Sequence, residues 1–184
     1  MSRLISLFFL LPAMMGCSQN KSNLAPKTTS EAEGAVEQAF TRLQADIAAL
    51  QEKKRRVDDP IWDLLGPESQ ADAEREAKVV KAAYAKLAEK DKGNLEKKLA
   101  LSAKELGNMD GKHYVKSQPF LANYQKVPES KVSKITVTGE KATLEFVQPD
   151  KTSVTVNLTR HKSAEGQPLL DKWRFNLEIP QAPK

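Results

Sequence analysis

Ile135-Thr-Val-Thr-Gly-Glu-Lys-Ala-Thr-Leu-Glu-Phe146 alternates apolar and polar residues on both sides of a Gly139-Glu140-Lys141 break. Successive side chains of an extended chain point to opposite faces, so a period of two marks a strand with one buried and one wetted face. Ile135 and Val137 alternate with Thr136 and Thr138, and Leu144 and Phe146 with Thr143 and Glu145. After a Pro149-Asp150-Lys151 turn, Val154, Val156 and Leu158 alternate with Thr155, Asn157 and Thr159. A loop from His161 to Leu170 follows, and then Trp173, Phe175, Leu177 and Ile179 alternate with Arg174, Asn176 and Glu178. Four strands joined mostly by short links predict an antiparallel meander. Trp173 is expected in its core, where truncation to Ala would cost about 3–5 kcal/mol.

Upstream of Pro128 the period is that of a helix. Ser30-Glu31-Ala32-Glu33 has the form of a capping box, and Val36, Phe40, Leu43, Ile47 and Leu50 follow at spacings of four and three. Lys53-Lys54-Arg55-Arg56 falls at the end of that helix, where positive charge complements its dipole. Asp59-Pro60 opens a short apolar element with Ile61, Trp62, Leu64 and Leu65, and Gly66-Pro67 breaks it. From Glu68, the residues Ala73, Ala77, Val80, Tyr84 and Leu87 predict a second helix ending near Asp91 to Gly93. Asn94 then caps a turn or two carrying Leu95 and Leu99. Ser102-Ala-Lys-Glu105 is a second capping box, opening a short helix with Leu106 and Met109 that stops at Asp110-Gly111. His113, Tyr114, Val115, Phe120, Leu121 and Tyr124 come next, interrupted by Pro119. Helices over 30–125 and strands over 132–179 predict an α+β domain spanning 30–180, with the helices laid on one face of a curved antiparallel sheet and 181–184 as a tail.

The first residues read differently. Arg3 precedes twelve uncharged residues, Leu4 to Met15, with Pro12 near their end. A membrane-spanning helix needs ~20 apolar residues, so this run has instead the length of a signal-peptide core, and 1–16 is read as a signal peptide. Residues 17–29 are polar and without period, the composition of a flexible linker, with a reach of roughly 20 Å.

Met14-Met15-Gly16-Cys17 resembles the lipobox of bacterial lipoproteins, with Met14 and Met15 standing where that family prefers Leu and a small residue. The resemblance implies cleavage before Cys17 and lipid on its sulfur and new amino group. Cys17 is the only cysteine of the chain, so it has no partner for an internal disulfide. Two or more acyl chains give a stable membrane anchor. Ser18, rather than Asp, follows the cysteine; by resemblance to enterobacterial sorting this implies the outer membrane of the cell envelope.

The 184 residues suit one domain with a tail, and 40% hydrophobic with 29% charged residues is ordinary for a globular chain. A net charge of +5 would suit anionic lipid or nucleic acid. An exported, tethered protein rarely meets nucleic acid, so that partner is not expected.

Trp62-Asp-Leu-Leu65 and Glu68-Ser-Gln70, followed by a connecting helix and a meander that reaches Trp173-Arg-Phe175, resemble the nuclear transport factor 2-like (cystatin-like) superfamily over roughly residues 31–180. The nearest likeness is to its small bacterial lipoproteins and exported proteins. The resemblance implies a sheet wrapped on helices as a cone with a pocket at its mouth. Members include ketosteroid isomerases and dehydratases as well as proteins that only bind partners.

No catalytic residue carries over from those enzymes. Two distant histidines and a single cysteine give no metal-ligand spacing, and neither a phosphate loop nor a serine nucleophile motif occurs, so no cofactor is implied. His161 sits among Arg160 and Lys162 and is expected in solvent. The candidate pocket residues are Asp110, His113, Tyr114 and Trp173. Asp110 lies three residues before His113, a spacing that allows a hydrogen bond on a helical turn. Two function classes follow: a non-catalytic, anchored binding or scaffold domain meeting an envelope protein or an apolar ligand, and an isomerase- or dehydratase-like enzyme. Convergence of Asp110, His113 and Tyr114 on a concave cavity would favour the enzyme. A cone filled by Trp173, Phe146 and Leu158 would leave only surface partners.

Overall fold

The computed structural model describes residues 29–52, 61–161 and 172–183. The signal segment, Cys17, the linker up to 28, Lys53 to Arg56, the Asp59-Pro60 cap and the loop beyond His161 lie outside the described residues.

Strands β1 (Lys131–Thr138), β2 (Lys141–Val147), β3 (Ser153–His161) and β4 (Lys172–Asn176) form one antiparallel sheet in the order β1-β2-β3-β4. The expected meander is therefore present. Thr138 pairs with Lys141, leaving Gly139-Glu140 as a two-residue loop with Gly139 at φ 61°. A positive φ at the first loop residue alone is the type II′ pattern, which follows the twist of the strands it joins. A bulge lies between Val132 and Lys134. Three positions separate Val132 from Ile135, which would put them on opposite faces. The extra residue returns both to the core side, where they pair with Phe146 and Leu144.

Six α-helices precede the sheet among the described residues; the first packs on it and the second meets β4, while the others pack mainly on helices. On α1 (Thr29–Gln51), Val36, Phe40, Leu43 and Ile47 of the expected stripe are buried, and Leu50 at its end is half-buried. The helix already includes Thr29, so Ser30 stands at a position inside it and not at the one before it. The Gln44 amide donates to the carbonyls of Val127 at 2.9 Å and Ser130 at 2.8 Å, tying α1 to the start of β1. Phe40 stacks on Phe146 with ring centroids 4.9 Å apart and approaches Phe175 at 6.4 Å.

α2 (Pro67–Lys86) buries Ala73, Ala77, Val80 and Tyr84, as expected, but stops at Lys86. α3 (Glu89–Leu99) runs straight through the expected break at Asp91 to Gly93, and Asn94 is interior to it. The turn between them is fixed from outside: Leu99 is fully buried, and the Tyr84 hydroxyl donates to Glu96 Oε1 at 2.9 Å. α4 (Ala103–Gly107) carries the expected box, with the Glu105 amide donating to Ser102 Oγ and the Ser102 amide to Glu105 Oε2. α5 (Gly111–Tyr114) begins after Asp110. α6 (Gln118–Asn123) has Pro119 in its first turn, where a missing N–H is harmless, so Pro119 starts a helix there and does not interrupt one.

The outer edge of β4 is covered. Leu65 forms a parallel bridge with Phe175, and the Gly66 amide donates to the Phe175 carbonyl at 2.8 Å. A Cβ on Gly66 would lie 2.1 Å from Asn176 Oδ1 and 3.4 Å from the Phe175 carbonyl, so a side chain there would require the Asn176 amide to turn away. Trp173, at 3% exposed, and Phe175 are in the core, as are Leu144, Phe146 and Leu158. Among the described residues no helix is long and apolar enough to cross a membrane.

Candidate functional site: a cleft where two strands part

β3 and β4 pair from His161↔Lys172 to Asn157↔Asn176 and no further. The apolar alternation continues past β4, since Leu177 and Ile179 are buried, yet the chain no longer bonds to β3. Val154, Thr155 and Val156 thus lack a partner on that side. Carbonyls alternate in direction along an extended chain. The Phe175 and Leu177 carbonyls face the outer edge, where the Gly66 amide and Ser69 Oγ take them, the latter at 2.8 Å. The Glu178 carbonyl faces the gap and accepts the Tyr124 hydroxyl at 2.6 Å. Further on, Tyr114 Oη donates to the Pro180 carbonyl at 2.7 Å, and the Ala182 amide to Glu76 Oε2 at 2.9 Å. Side chains of α2, α5 and the residue capping α6 have replaced β3 as partners of this last segment. The expected tail is pinned at least as far as Ala182.

The gap opens a cavity of about 300 Å³. Phe40, Leu43, Phe146 and Phe175, all almost fully buried, close its base, and Asn123, Tyr124, Gln148, Thr155, Asn176 and Glu178 also line it. Tyr124 leans on Phe120 with centroids 4.9 Å apart, which sets its ring at the mouth. Burial holds the Tyr124 phenol well above its ordinary value against an opposing hydrogen bond with Asn123, and the nearby Glu178 carboxylate adds to the rise. At neutral pH it is a donor and not a base. Such a cleft can desolvate a small apolar body and offers amides and hydroxyls at its rim.

Two other depressions are less enclosed by apolar residues. One of about 790 Å³ lies near the ends of α1 and α6 and includes Lys116, Gln125, Lys126 and Asp150. There Lys126 is ion-paired with Asp150, and this holds the Asp150 carboxyl down to about 2. The other, of about 410 Å³, lies over Lys141, Thr143, Asn157 and Asn176.

Asp110 and His113 are brought together. Asp110 Oδ1 accepts the His113 amide at 2.9 Å, capping α5, and lies 2.6 Å from His113 Nδ1. The pair is partly exposed and lines none of the three cavities. Tyr114 is fully buried, its hydroxyl spent on Pro180, and burial pushes its phenol up to about 12. Trp173 is a core residue of β4 that lines none of the three cavities either. His161, expected in a solvated loop, is the last residue of β3, half-buried and paired in register with Lys172. Of the three residues expected to fill a cone, Phe146 borders the cleft instead. Tyr124 and Glu178 were not candidates from sequence: both sit in apolar–polar patterns that read as ordinary helix and strand, and no local signal marks where β4 leaves β3.

Among the described residues no group of acidic, histidine or cysteine side chains is placed to hold a metal ion. No protein-family model matches the chain, and the searches of curated proteins and of solved structures likewise give no match.

Proposed function

We propose that this chain is a lipid-anchored protein of the cell envelope, held at the outer membrane through Cys17, whose domain is a non-catalytic binding module for a small apolar molecule. The architecture is compatible with the nuclear transport factor 2-like resemblance. The cleft carries the reading: a gap between strands over the buried rings of Phe40, Phe146 and Phe175, with no acid–base pair among its described lining residues. The enzyme alternative has one observation in its favour, the Asp110–His113 contact, but that pair lies outside the cleft. It is the lesser reading.

A six-carbon chain buried at about 0.8 kcal/mol per methylene gains about 5 kcal/mol, and the cost of immobilising it leaves a millimolar ligand at best. The test is an NMR titration with 1-hexanol. Saturable shifts at Phe146, Val156 and Phe175, lost in a folded Val156→Trp variant that fills the mouth, are expected. Shifts that never saturate, or that survive the filled cleft, overturn the binding reading. The anchor is tested by intact mass and membrane fractionation beside Cys17→Ser. Diacylglycerol and acyl mass on the wild type alone is the expected result, and an unlipidated, soluble wild type removes the anchor.

A further inference from the structure

We infer that the cleft selects an apolar molecule bearing a positive charge, such as a protonated amine, and discriminates against carboxylates. This rests on the reading of the cleft as a binding site and specifies the ligand.

Among the described residues the lining contains a single formally charged side chain, Glu178, and no Lys, Arg or His. The remaining polar lining residues Asn123, Gln148, Thr155 and Asn176 are neutral. Glu178 is fixed at the mouth by its own backbone, whose carbonyl holds the Tyr124 hydroxyl at 2.6 Å. Its carboxylate is close enough to oppose ionisation of that phenol. The side chain is exposed, so a cation beside it keeps part of its hydration while its tail enters among Phe40, Phe146 and Phe175. The Tyr124 ring adds an electron-rich face at the same place. Lys126, two residues beyond Tyr124, is ion-paired with Asp150 and lines the other depression. A carboxylate head at the mouth would therefore meet Glu178 with no cation among the described lining residues to offset it. Fatty acids are poor candidates on this ground, although their tails would suit the floor.

The test compares 1-hexylamine, 1-hexanol and hexanoate on the full chain at neutral pH and low salt, read by NMR titration. An exposed charge pair contributes little, so hexylamine is expected to bind roughly three- to fivefold tighter than hexanoate. Salt should shrink the difference, and Glu178→Gln, at an exposed position, should abolish it. Hexanoate binding as tightly as hexylamine overturns the inference, and so does a preference that survives Glu178→Gln. Hexanol binding accompanied by either result leaves the binding module standing and removes only its charge selectivity. Failure of all three probes overturns both.

Discussion

The Tyr124 hydroxyl donates to the Glu178 carbonyl at 2.6 Å, across the place where β3 and β4 would otherwise have continued their ladder. The residue that caps the end of α6 thus satisfies a carbonyl two residues past β4 while the chains stay apart. Tyr124→Phe keeps the ring against Phe120 and deletes only the donor. It should lower unfolding free energy by about 0.5–1.5 kcal/mol in a urea melt. An unchanged midpoint would show that water serves Glu178 equally well.

Gly111 lies under the Trp62 ring. A Cβ there would come 2.7 Å from Trp62 Cη2 and Cζ3 and 3.1 Å from Glu74 Cδ. An indole cannot flex away, so Gly111→Ala should cost about 1–3 kcal/mol. In the Trp62→Leu background the same change should cost much less, a coupling that a double-mutant cycle measures. Equal costs in both backgrounds would mean that Trp62 does not press on Gly111.

The chain's three tyrosines, Tyr84, Tyr114 and Tyr124, all have phenols raised by burial, and Tyr84 is raised further by its hydrogen bond to Glu96. A phenol whose folded value lies above its unfolded value of about 10 favours the folded state below that pH. For Tyr114 that contribution is lost as pH rises from the unfolded value through about 12. Tyrosinate absorbance should therefore be largely absent at pH 10 and appear together with loss of the circular dichroism of the fold. A titration with midpoint near 10 in a folded chain would contradict this.

Gly93 stands inside α3 with nothing within 4 Å of a would-be Cβ. Gly93→Ala should raise stability by roughly 0.5–1 kcal/mol in the same melt. A loss would mean that the helix is not continuous there.

That last position shows where sequence reasoning stopped. Strand alternation was legible because each strand has one wet face, and the stripe Val36, Phe40, Leu43, Ile47 was legible for the same reason. The turn at Leu87-Ala88 was not. It has neither Gly nor Pro, while Gly93, which invites a break, is carried inside a helix. Burial of Leu99 and the Tyr84–Glu96 hydrogen bond decide the matter, and both are contacts between elements. Ala100 ends α3 at φ 53°, a left-handed position where Gly or Asn is the usual signal. The cleft was hidden for a further reason. Leu177 and Ile179 keep the strand period after the strand has left the sheet, so periodicity reports burial there and says nothing about pairing.

The account stands on a space open to a small molecule between Val154–Val156 and Leu177-Glu178. Xenon binds dry apolar cavities and needs no hydrogen bond. Diffraction from crystals under xenon pressure should place the gas among Phe40, Phe146 and Phe175. A core in which those three rings close on one another, with xenon elsewhere or nowhere, would contradict the cleft and every ligand argued from it.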